Sequence, residues 1–145
     1  MYPNEQITGA VVDTAYRLHT QLGPGLLESA YEILLARMLE ERGFTVERQK
    51  PVTFEFDGIK VKNGFRADLL VENQVIVEVK AVEKLAPVHV RQVLTYLKLL
   101  NLPVGLLINF GEVKLKNGLR RVLNAQPVEA SAAPEASDDG EVSPG

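Results

Sequence analysis

Phe65-Arg66-Ala67-Asp68-Leu69-Leu70-Val71, then Glu72-Asn73-Gln74, then Val75-Ile76-Val77-Glu78-Val79-Lys80-Ala81: the reading of this stretch decides the fold. Its outer segments are apolar and rich in β-branched residues, and the middle one is turn-like, which predicts two strands. A short connection makes them a hairpin and brings Asp68 near Glu78. Side chains alternate across a strand, so Glu78 and Lys80 share one face while Val75, Val77 and Val79 share the other. Two carboxylates and an ammonium in the middle of a sheet are costly unless they bind something. Oxygen ligands of this kind suit Mg²⁺ or Mn²⁺. The expectation is a metal-dependent phosphodiesterase site.

Upstream, Ile7, Val11, Ala15 (or Thr14), Leu18 and Leu22 recur at helical spacing, which predicts a helix over about 4–21, stopped by Gly23-Pro24-Gly25. A second helix is expected from Leu26 to Arg42, closed by Gly43. Thr45–Phe56 is expected as a strand, with Pro51 marking an edge position or a bulge. Asp57-Gly58 signals a tight turn into a strand from Ile59 to Val71, bulged at Asn63-Gly64. Downstream, Pro87 opens a helix over 87–100 at a position that tolerates proline. Val104–Phe110 is nearly all apolar, as in a strand buried on both faces. Val113–Lys116 and Leu119–Leu123, joined by Asn117-Gly118, are expected as a closing hairpin. The order α-α-β-β-β-α-β-(ββ) gives an α/β fold, a mixed sheet flanked by helices. Its β-α-β crossover makes the Glu78 and Val104 strands parallel.

With 145 residues and 46% hydrophobic content, the chain can bury ~two-thirds of its unfolded surface as one domain. It has no cysteine, which excludes disulfides and thiolate zinc sites. No run of about 20 apolar residues is present, so a membrane span is not expected and a cytoplasmic location is. The net charge of −3 hides an asymmetry: residues 125–145 hold five acids and no Lys or Arg, leaving 16 basic against 14 acidic residues elsewhere, hence +2. That Ala-, Ser- and Pro-rich acidic segment is expected as a disordered tail after a folded body of residues 1–124.

On the second helix Leu27, Tyr31, Leu34, Leu35, Met38 and Leu39 occupy one arc. Glu28 falls inside it, whereas Glu32, Glu40 and Glu41 lie at or beyond its edges. A carboxylate on an apolar face needs a partner, although one in a first turn also gains from the helix dipole. On the third helix Gln92 and Tyr96 share a face, opposite Arg91, Thr95 and Lys98. His19 and His89 are expected to be structural.

Asp68, Glu78 and Lys80, with Glu28 before them and Gln92 after, together resemble the PD-(D/E)XK nuclease superfamily. More narrowly, the chain is similar to its small bacterial GxxExxY family, through Gly25-Leu26-Leu27-Glu28-Ser29-Ala30-Tyr31, Phe65–Leu70, Glu78-Val79-Lys80-Ala81 and Gly105–Gly111. Ala67 stands where a proline often precedes the aspartate. The resemblance covers about residues 5–124 and implies a restriction-endonuclease-like core. It implies Asp68 and Glu78 as metal-binding carboxylates, Glu28 completing the metal shell, and Lys80 acting on water and developing charge. Gln92 and Tyr96 match a Gln-x-x-x-Tyr motif of its RecB-like branch, which shapes the active site and contacts nucleic acid.

Arg66, Lys84 and Arg91 are candidate phosphate contacts. The expected function is Mg²⁺-dependent (or Mn²⁺-dependent) hydrolysis of nucleic acid, with DNA as substrate, in repair, processing or defence. A body charge of +2 predicts modest intrinsic affinity, supplemented by a homodimer or a protein partner. The alternatives are a non-catalytic nucleic-acid-binding or accessory module, which would not require Asp68, Glu78 and Lys80, and a metal-dependent phosphatase.

Overall fold

The hydrophobic period changes along the chain from helical to alternating and back, and the elements follow it. In the computed structural model, residues 3–125 are described. They form α1 (Glu5–Leu22), α2 (Glu28–Glu41), β1 (Val46–Phe56), β2 (Ile59–Val71), β3 (Val75–Lys80), α3 (Pro87–Leu100), β4 (Val104–Asn109) and β5 (Leu119–Leu123). The sheet runs β1-β2-β3-β4-β5, antiparallel except for the parallel β3–β4 pair that α3 connects. This is a mixed α/β fold of the restriction-endonuclease type. The expected acidic tail lies outside the described residues, apart from its first position.

Local chemistry sets each boundary. Asp57 and Gly58 both take positive φ, the geometry of a two-residue hairpin, and Phe56 faces Ile59 across it. The β1–β2 register then shifts between Val52 and Phe54, where the expected bulge at Asn63-Gly64 falls. Helix α2 closes when Gly43 N–H donates to the Glu40 carbonyl and Phe44 N–H to the Leu39 carbonyl, a Schellman ending.

Two apolar cores lie on opposite faces of the sheet. The larger joins Val11, Ala15 and Leu18 of α1 and Tyr31, Leu35 and Leu39 of α2 to Leu69, Val77, Val79, Leu106 and Ile108. The smaller joins Val93 and Leu97 of α3 to Ala67, Leu70, Ile76 and Leu107. Strands β3 and β4 are buried on both sides, as their apolar runs require.

The sequence expectations need three corrections. The segment Val113–Lys116 is not a strand: Leu115–Gly118 forms a 3-10 turn, and β5 pairs directly with β4. Only Leu115 of that segment enters the core, so one anchored turn suffices where a strand would need alternate burial. Leu22 and Leu27, placed on apolar faces by spacing, are 51% and 77% exposed. They flank the Gly23–Gly25 turn between α1 and α2, where both of these glycines take positive φ.

Candidate active site

Regular β2–β3 pairing covers Val71–Val75, Leu70–Ile76 and Leu69–Val77, and stops there. The next pair in register would be Asp68 and Glu78, and their side chains take over the hydrogen bonding. Asp68 N–H donates to Glu78 Oε2 at 2.9 Å, and Val79 N–H donates to Asp68 Oδ2 at 2.9 Å. Each carboxylate thus has one oxygen tied to the opposite strand, and the second oxygen of Asp68, Oδ1, accepts from Gln49 Nε2 at 3.3 Å.

Glu78 is 3% exposed, so its charge is expensive. Burial pushes its carboxyl up to about 8, and the neighbouring Asp68 adds to the rise. The Asp68 amide and Lys80 oppose the rise, and Glu32 contributes last. The Glu28 carboxyl is also raised, first by burial, then by Asp68 and Glu32, while Lys80 and the Ala81 amide lower it. Glu28 is exposed over the residue as a whole, but its carboxyl reaches back towards β3 and shares the field of Asp68 and Lys80. Lys80 is half-buried and acts on Glu28 and Glu78 without closing an ion pair with either.

The Gly-x-x-Glu-x-x-Tyr spacing has a physical account. The Tyr31 hydroxyl donates to the Gly23 carbonyl and accepts Leu26 N–H at 3.2 Å, while its ring stacks on Phe110 at 4.6 Å. Gly25 takes φ +123°, which side chains rarely adopt. Tyr31 therefore pins the turn that delivers Glu28.

Behind Lys80, Asn109 holds the next loop. Its Oδ1 accepts Val82 N–H and Gly111 N–H, and its Nδ2 donates to the Val82 carbonyl. A side chain at Gly111 would collide with that carbonyl.

On α3, Gln92 hydrogen-bonds Tyr96, and the Tyr96 hydroxyl is raised first by burial, then by Glu78 and Asp68. Its ring stacks on Phe65 at 3.9 Å. The structure thus brings Glu28, Asp68, Glu78, Lys80, Gln92 and Tyr96 around one end of the β2–β3 pair. Arg66 and Lys84 are exposed on the segments flanking that end, whereas Arg91 lies with Thr95 and Lys98 on the solvent side of α3. His19 donates through Nε2 to the Glu112 carbonyl at 2.8 Å, and His89 Nδ1 accepts Ala86 N–H at 3.0 Å; both are structural.

Two participants escaped the sequence reading. Glu32, placed at the edge of the apolar arc, is 3% exposed and paired with Arg48 at 3.1 Å. Gln49 donates to Glu32 and to Asp68 Oδ1. The available signal for Glu32 was its place one helical turn after Glu28.

A family model of the PD-(D/E)XK nuclease superfamily matches residues 5–122. The chain belongs to that superfamily. No curated protein and no solved structure matches it. PD-(D/E)XK nucleases generally use divalent metal ions. Among the described residues no three His, Cys, Asp or Glu side chains form a ready cage. The donor set still fits a hard cation: Mg²⁺ typically takes one or two carboxylates and keeps water on its other positions. Burial first and Asp68 second raise Glu78, and a divalent charge beside the pair would favour the ionised carboxylate.

Proposed function

We propose that this protein is a divalent-metal-dependent nuclease of the GxxExxY type that hydrolyses phosphodiester bonds, with DNA as its substrate and residues 1–124 as its working domain. The observation that carries the reading is the meeting of Asp68 and Glu78 where backbone pairing stops, with Lys80 beside them. Asp68 and Glu78 would hold Mg²⁺ or Mn²⁺, and Glu28 would complete the shell. When bound, such a cation supplies Lewis acidity at the phosphoryl oxygen and lowers the pKa of a coordinated water.

The chain's own residues do the rest. The Lys80 ammonium lies beside the carboxylates, where it orients a water and stabilises charge developing on the phosphoryl oxygens. Tyr96, fixed by Gln92 and by the Phe65 ring, forms the α3 wall of the site and meets the substrate there. Arg66 and Lys84 offer phosphate contacts at the rim, and Arg91 offers one from the outer face of α3. The +2 body charge supports salt-sensitive, modest affinity.

The test is cleavage of labelled DNA and RNA by purified protein in Mg²⁺ or Mn²⁺ against EDTA. Lys80→Ala should lower the rate by at least about a hundredfold while metal still binds, as loss of a charge-stabilising group does. Gln92→Ala should lower it less. Cleavage unaffected by EDTA or by Lys80→Ala would remove the site assignment. Binding without any cleavage would favour a non-catalytic nucleic-acid module.

A further inference from the structure

Strand β1 breaks its own geometry at one interior position, and that position lies opposite Asp68. Gln49 lies between the Arg48–Leu69 and Lys50–Ala67 pairs, across from Asp68, and takes φ +51°. A left-handed, non-glycine residue inside a strand is strained and persists only where its surroundings hold it. Here the holding contacts are explicit. Gln49 Nε2 donates to Glu32 Oε1 at 2.8 Å, to Glu32 Oε2 at 3.0 Å and to Asp68 Oδ1 at 3.3 Å. An ionised carboxylate only accepts, so the amide nitrogen must face both acids.

We infer that Gln49 is a positioning residue: braced on Glu32 and Arg48, it fixes the Asp68 carboxylate in its metal-binding pose. The inference rests on the proposed role of Asp68 as a metal ligand and extends it to a residue with no assigned part. Val79 N–H holds Asp68 Oδ2 but leaves rotation about that contact. A second donor on Oδ1 sets the plane of the carboxylate. The brace is itself fixed, because Glu32 is buried on α2 and its Oε2 also takes Arg48 at 3.1 Å. Arg48 offsets the charge of Glu32, so Gln49 bears on Asp68 as a neutral donor.

The experiment is Mn²⁺ binding by the full chain, read by electron paramagnetic resonance, with thermal melting alongside. Gln49 is exposed, so Gln49→Ala should fold with a melting temperature within a few degrees of wild type, yet raise the Mn²⁺ Kd roughly tenfold, as loss of an outer-shell partner does. Glu32→Gln should also weaken binding, but should add nothing in the Gln49→Ala background, because it acts through that residue.

If Glu32→Gln does not fold, Gln49→Asn carries the test. Asparagine tolerates the left-handed backbone but is one methylene short of both acids, so melting should hold while affinity falls. Unchanged Mn²⁺ affinity in Gln49→Ala, or strictly additive effects in the double variant, would overturn the inference. A wild-type protein that binds no Mn²⁺ would overturn the metal-site reading as well. Normal wild-type binding with an indifferent Gln49→Ala would overturn the positioning role alone.

Discussion

The two ends of the β2–β3 pair use the same strands in opposite ways. At one end Leu69–Val71 and Val75–Val77 pair through the backbone and bury apolar side chains on both faces. One residue further, at Asp68 and Glu78, carboxylates accept the N–H groups that carbonyls would otherwise take. The first end is held by burial, and the second accommodates repulsion between acids. A single residue step separates the packed scaffold from the proposed site, so substitutions on either side of it should differ in kind.

Leu69→Ala should give the largest stability effect. Leu69 is fully buried in the larger core, and such truncations cost about 2–5 kcal/mol. Urea denaturation measures the loss, and Mn²⁺ affinity of the folded fraction should stay near wild type. A loss of affinity at Leu69 would erase the distinction between the two ends.

Glu78→Gln should act in the other direction. Because the folded state raises this carboxyl from 4.5 to about 8, it holds the proton more tightly than the unfolded chain does. Metal-free stability from this group is therefore complete below pH 4.5 and declines as pH rises to about 8. Glutamine carries no charge and keeps an oxygen for Asp68 N–H. In EDTA the variant should match wild type at low pH and exceed it at pH 8, by a few kcal/mol at most. On the proposed role of Glu78 as a ligand, Mn²⁺ binding should tighten towards pH 8 in wild type, because a carboxylate must lose its proton to bind the metal. The variant should lack that dependence. Denaturation and metal titration across pH give both curves.

Asp68→Asn sharpens the contrast between the two acids. Asp68 accepts from Val79 on one oxygen and from Gln49 on the other, and an amide offers only one acceptor. Val79 N–H keeps the amide oxygen and the exposed Gln49 keeps Glu32, so with the repulsion relieved apo stability should stay within about 1 kcal/mol of wild type. Calorimetry should show lost Mn²⁺ binding. A gain in apo stability would mean that repulsion outweighs the hydrogen bonds at this end.

Tyr31→Phe tests the approach of Glu28 to that pair. The ring stack on Phe110 survives, two hydrogen bonds to the Gly23–Leu26 turn are lost, and stability should fall by about 0.5–1.5 kcal/mol. Faster amide exchange at Leu26, without change in the central strands, would mark the loosened turn.

The central strands and helix ends were legible because their signals are local. Asp57-Gly58 fixed a turn, Gly43 fixed a helix end, and the unbroken apolar run of Val104–Ile108 fixed a buried strand. The approach of Asp68 to Glu78 followed from a short loop alone. Gln49 was hidden by register. Counting back from the Phe56–Ile59 pair sets Gln49 opposite Arg66, and the irregularity beyond Val52 moves Asp68 into that place. The bulge was readable, but not how many residues it absorbs. Glu32 was hidden because its burial comes from β1, through Arg48 and Gln49, and no helical wheel contains a neighbouring strand. Val113–Lys116 misled because a single buried leucine among exposed residues imitates the start of an alternating pattern.

Strand β1 is also an outer edge of the sheet, and an exposed edge is a template on which another chain can add. This edge is spoiled repeatedly. Gln49 turns the backbone left-handed, Pro51 offers no N–H, and the register slips between Val52 and Phe54. The opposite edge, β5, is short and carries Arg120 and Arg121. The kink that turns Gln49 towards Asp68 therefore also disfavours edge-to-edge pairing, and ironing β1 into a regular strand would trade the proposed brace on Asp68 for a template open to other chains.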